Sequence, residues 1–169
     1  MGLLRRLDAA ARAGFPGLFT AFLIILAAVP VGIPGIIGAV ALPCIFFWTI
    51  FRPAAMPAPV VFSLGLLQDL LSFAALGTGV LTLLIVHGVT LRLRDFLVRQ
   101  SFLASWVVFC GFAAGAGLLG WALQAVLGWI LPPAAPGLHQ FGIAVGLYPA
   151  LAWVLARLHT AMRRAETAL

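Results

Sequence analysis

An all-helical, membrane-embedded bundle is the fold class this sequence predicts, and three observations predict it. Hydrophobic residues make up 64% of the 169 positions and charged residues only 8%, where a soluble domain carries roughly 25% charged residues. The mean hydropathy is +1.18. In a bilayer, backbone polar groups are satisfied only in helices or closed barrels, and barrel strands alternate apolar with polar residues. Segments such as FTAFLIILAAV and GVLTLLIV do not alternate, which leaves helices. The length predicts a single domain over residues 1–169.

A helical span needs about 20 apolar residues to cross about 30 Å of hydrocarbon. The chain opens with the basic segment MGLLRRLDAAARAG, followed by an apolar run as in a secretory signal. More apolar sequence comes next instead of a hydrophilic domain, so a first span that stays attached is expected. From Ala13 to Phe51 the run is too long for one helix, and Pro30 and Pro34 in VPVGIPG interrupt helical hydrogen bonding. Two spans are expected there, at 15–31 and 35–51. Between Pro53 and Leu91, polar and turn-forming residues gather at Ser72 and LGTG, which predicts two short helices at 58–72 and 76–92. A long helix over 101–131, a loop at PPAAPGLHQ and a last span over 139–158 complete a six-helix bundle.

Basic residues concentrate on the cytoplasmic side of membrane proteins. With six spans and the N-terminus inside, all ten basic residues, each an arginine, fall in inner segments. They are Arg5, Arg6 and Arg12; Arg52; Arg92, Arg94 and Arg99; and Arg157, Arg163 and Arg164. Merging any hairpin into one span would put arginines on both sides. The expected protein is multi-pass with both termini cytoplasmic. Trp48, Trp121, Trp129 and Trp153 fall near expected span ends, where amphipathic rings favour the interface. A net charge of +6 and a pI of about 11.4 would point to nucleic acid in a soluble protein. Here each arginine borders an apolar run instead of forming a solvated stripe, and no nucleic-acid partner is expected.

Few groups inside the spans can do chemistry. Asp69 is the only acid within an expected span. It reads either as a functional ionisable group or as a polar anchor that caps a helix or bonds a neighbouring group. Gln68 beside it is expected on a different helix face. An intramembrane aspartyl protease needs two carboxylates sharing a site. A serine enzyme needs an activated serine, and Ser63, Ser72, Ser101 and Ser105 lack a G-x-S-x-G context. Zinc needs clustered ligands, whereas His87, His139 and His159 map to mid-helix, outer loop and inner tail. No enzymatic activity, cofactor or metal site is expected. His87 is expected to pack between helices, and Cys44 and Cys110 to act as small buried hydrophobes. Gly111 and Gly115 form a small-xxx-small pair, which serves either packing within the bundle or contact with another protein.

The segment RPAAMPAPVVFSLGLLQDLLSFAALGTGVLTLLIVHGV combines an inner Arg-Pro loop, a phenylalanine, Gly-Leu-Leu-x-Asp-Leu-Leu, a short turn and Leu-Gly opening the next span. In this it resembles the MreD family of rod shape-determining membrane proteins. LYPALAWVLARLHTAMRR resembles that family's closing helix and basic tail. The turn departs from the pattern: it reads SFAALG where the family is usually rich in glycine, serine or proline. Phe62, Gly65, Leu66, Asp69 and Gly77 match the motif by position. The resemblance implies a non-enzymatic subunit of the bacterial cell-elongation, peptidoglycan-synthesis machinery in the inner membrane. Its partners would be an MreC-type bitopic protein, the MreB cytoskeleton and the RodA–PBP2 synthase complex. It also implies a fold similar to the substrate-binding subunits of energy-coupling-factor transporters. The alternative function is a vitamin-binding subunit of a transporter, for which Asp69, Gln124, His139 and Gln140 are the outer polar groups.

Overall fold

The structure, a computed structural model, describes residues 2–29, 35–72, 75–128 and 133–167, with side chains between 14 and 164. The described residues form six α-helices and no strand: α1 (Gly2–Ala28), α2 (Ile36–Phe51), α3 (Ala58–Ser72), α4 (Thr78–Leu97), α5 (Phe102–Gly128) and α6 (Ala135–Thr167). A 3₁₀ turn at Pro53–Ala55 links α2 to α3. The break at VPVGIPG, the end of the expected fifth span and Trp129 lie outside the described residues.

Three helices, α1, α4 and α6, extend beyond the expected spans for physical reasons. α1 starts at Gly2 instead of 15, because LDAAARA contains strong helix formers and nothing that breaks a helix. α6 starts at Ala135 and takes in most of the expected PPAAPGLHQ loop. Pro136 sits in its first turn, where the missing N–H has no intrahelical acceptor to lose. α6 also runs on to Thr167 and α4 to Leu97, because their basic ends remain helix-compatible. Two helical segments, Phe102–Gly128 and Ala135–Arg164, are long and apolar enough to cross a membrane. α2 and α3, with 16 and 15 residues, rise only about 24 and 22 Å.

α2 is the centre of the bundle. Every residue from Gly38 to Ile50 is buried, as expected of a helix that is apolar on all sides. It packs against α1, α3, α4 and α6. Phe46 meets Phe109 and Phe112 of α5, with ring centroids 5.4 and 5.2 Å away. Phe109 in turn stacks on Tyr148 of α6 at 4.2 Å. Trp48 corrects an expectation: it is fully buried, not interfacial, because the α2 end it occupies is wrapped by its neighbours. Trp153 does face outward, with Arg157 5.1 Å from its ring centroid.

α2, α4 and α6 run in the same direction. At their starts Gly38 lies against Gln140; towards their ends Arg94 Nε donates to Ile50 O at 2.9 Å and Phe51 lies 5.7 Å from His159. Arg52, Arg92, Arg94, Arg99, Arg157, Arg163 and Arg164 sit in the closing part of these helices or just beyond. The bundle therefore has an arginine end, and an opposite end that carries the α3–α4 turn.

Candidate functional site

The turn end is organised by Asp69, which is 1% exposed. Its Oδ2 accepts from the Gly77 N–H at 2.8 Å and the Val80 N–H at 3.4 Å, and its Oδ1 from the Gly79 N–H at 2.9 Å. The first amides of a helix have no intrahelical acceptor, and a carboxylate there also faces the positive end of the helix dipole. Asp69 thus caps α4 from the neighbouring α3. Of the two readings of Asp69, the geometry is that of a polar anchor.

Three glycines make this cap reachable. Gly77 precedes α4 with φ of 98°, a left-handed conformation that side-chain-bearing residues adopt at a penalty. A Cβ at Gly79 would collide with Asp69 Oδ1. A Cβ at Gly65 would sit 2.7 Å from the Val80 Cα, so α3 and α4 approach backbone to backbone. Gly65, Asp69 and Gly77 were singled out from the sequence. Gly79 was missed, although the Gly-Thr-Gly spacing carried the signal.

Beside the cap lies a cavity of about 1010 Å³. It is bounded by the C-terminal parts of α1, α3 and α5 and the N-terminal parts of α2, α4 and α6. Gln68, Gln124 and Gln140 line it together with Trp121, Phe141 and small residues. Gln68 corrects the sequence reading: it shares the site with Asp69. A Cβ at Gly79 would lie 2.9 Å from Gln68 Nε2 and against Asp69 Oδ1. Adjacent helical residues diverge at the backbone, but the missing side chain at Gly79 leaves room for both to reach one point. His139 is exposed and does not line the cavity.

The other singled-out residues lie elsewhere. Phe62 and Leu66 face outward from α3, 49% and 38% exposed, with Leu70 continuing their stripe. Gly111 and Gly115 of α5 are exposed and would meet nothing within 4 Å if each carried a Cβ. Their small size serves no close approach inside the bundle. His87 joins α4 to α2 through a 2.9 Å hydrogen bond between its Nδ1 and Thr49 Oγ1. Nine residues of helix, about 14 Å of rise, separate it from Thr78 at the capped start of α4. Cys44 is buried, Cys110 half-buried, and both are free thiols. Among the described residues no three His, Cys, Asp or Glu side chains cluster as metal ligands would. Comparison with family models, curated proteins and solved structures gives no match.

Proposed function

We propose that this chain is a non-enzymatic scaffold of the bacterial inner membrane, an assembly subunit of the cell-elongation machinery similar to the MreD family. The observation that carries the reading is the two-faced character of α3. The inward half of the motif, Gly65 and Asp69, is accounted for by close packing and the α4 cap. The outward half, Phe62 and Leu66, is 49% and 38% exposed and open to lipid or to another helix. An apolar stripe backed by a rigid hairpin is what a transmembrane helix of a partner would pack on. An MreC-type bitopic protein is the partner this reading names, with MreB and the RodA–PBP2 complex reached through that assembly.

In this reading the chain crosses the membrane six times with both termini in the cytoplasm. Support comes from the arginines, which gather at one end of α2, α4 and α6 as cytoplasmic basic residues do. The shortness of α2 suits its central place, since a helix wrapped by protein need not match the lipid thickness. α6, at 33 residues, would rise about 50 Å and carry its basic tail beyond the bilayer.

The test is co-purification with an MreC-type protein in mild detergent. Phe62→Ala with Leu66→Ala should remove the partner while the bundle still unfolds at its normal temperature. A stable monomer that captures no such partner, together with normal rod shape after depletion, would overturn the scaffold reading. The vitamin-binding transporter subunit has one observation on its side, the cavity at the turn end.

A further inference from the structure

The arginine end carries more positive charge than the chain itself can neutralise. The sequence holds ten arginines and four acids, and one acid, Asp69, is engaged by the α4 amides at the opposite end. Set one to one against the arginines, Asp8, Asp95 and Glu166 leave an excess of seven positive charges. Asp95, the one acidic side chain described at this end, is 96% exposed and 3.9 Å from Arg94. Like charges gathered at one end repel each other and attract anions from outside the chain. Two outward stripes show where such anions would sit. On α6, Trp153, Arg157 and Arg164 are all exposed and lie on one face, at spacings of four and seven residues. Trp153 is 61% exposed, and Arg157 is held against its ring, one turn or about 6 Å nearer the helix end. On α4 and just past its close, Arg92, Phe96 and Arg99 repeat the pattern, each of them exposed. Both stripes flank the end of α2: Arg94 bonds Ile50 O, and His159 lies against Phe51, the next residue.

The aromatic residues decide the class of anion. An exposed indole is most stable at the boundary of hydrocarbon and headgroups, and a guanidinium one turn further out is then level with phosphate. A nucleic acid or an acidic protein approaching from water would leave that boundary position of Trp153 and Phe96 unexplained. The guanidinium fork also matches the paired oxygens of a phosphate. We propose that the arginine end binds the phosphate groups of anionic phospholipids in the cytoplasmic leaflet. Trp153 with Arg157 forms the first site, and Phe96 with Arg92 and Arg99 the second. The proposal rests on the membrane-embedded, arginines-inside reading given above and on no protein partner.

The experiment titrates the full-length protein, in a zwitterionic detergent, with phosphatidylglycerol while thermal unfolding is followed. Phosphatidylcholine, inorganic phosphate and an oligothymidylate are the comparison ligands. Phosphatidylglycerol should raise the midpoint saturably, the three others should not, and the rise should shrink as salt is added. Arg157→Gln should weaken phosphatidylglycerol about fivefold, as expected of one basic residue near an anionic surface. Trp153→Leu stays apolar but loses the ring, and should weaken it by about twofold or more. Leu118→Ala, on the exposed face of α5, should leave binding unchanged. The proposal is overturned if phosphatidylcholine, inorganic phosphate or the oligonucleotide stabilises as strongly as phosphatidylglycerol. It is equally overturned if Arg157→Gln binds phosphatidylglycerol as tightly as wild type. Release of the chain from membranes by alkaline carbonate would defeat the membrane reading and this proposal together. A chain that stays inserted but shows no preference for phosphatidylglycerol defeats the proposal alone. Partner capture through Phe62 and Leu66, scored on the same preparation, tests the scaffold reading separately.

Discussion

Two glycine-bearing regions of this bundle look alike in sequence and differ completely in structure. In the α3–α4 hairpin, each of Gly65, Gly77 and Gly79 is required by something within reach: a neighbouring backbone, a left-handed turn, a carboxylate. In α5, Gly111 and Gly115 have the spacing that lets helices approach, yet open space surrounds both. A glycine in an apolar helix is thus evidence of close approach only when another element is there. The hairpin is a polar lock inside the bundle; the α5 pair faces outward, with no described atom in reach of either glycine's added Cβ.

The largest effect that can break this contrast is at Asp69. Asp69→Leu leaves three amides at the start of α4, those of Gly77, Gly79 and Val80, without this acceptor and should lower stability by more than about 3 kcal/mol. Asp69→Asn keeps one acceptor and should be clearly milder. Thermal unfolding in mild detergent reads both, and equal losses would mean the cap contributes little. Next is Gly65→Ala, which sets a Cβ against the Val80 backbone and should lower stability by about 1–3 kcal/mol. Its partner in the comparison is milder: Gly77→Ala meets no atom within 4 Å, so only the positive φ opposes it. A loss of about 1–2 kcal/mol in the same assay is expected there. The smallest effects belong to Gly111→Ala and Gly115→Ala. Each should be neutral or stabilise the isolated protein by up to about 1 kcal/mol through helix propensity. A large loss of stability from either would erase the distinction between the two regions.

Much of the architecture was legible because apolar runs, prolines and arginines each act locally. Helices at 35–51 and 58–72 were expected almost as they occur, since Arg52–Pro53 and Ser72 bound uninterrupted apolar segments. α1 and α6 extend past the expected spans because hydropathy marks where lipid-compatible sequence stops, and helices continue past it. Within the site, Asp69 stood out as a lone acid in an apolar run, and the cap it makes was among the roles expected. Gln68 was placed on a separate face from Asp69, and Trp48 at an interface. Both errors have the same cause: periodicity on one helix says nothing of what the adjacent helix leaves open.

By itself, then, the sequence determined composition, helix order and the sidedness of charge, because hydrophobicity and arginine position are properties of single segments. Only the tertiary structure decided that Asp69 caps α4, that Gly79 and Gly38 make room for converging polar groups, and that Gly111 and Gly115 face outward. These depend on distances between segments far apart in the chain, which are set when α2 is enclosed by its neighbours. The cavity beside the cap belongs to that second class.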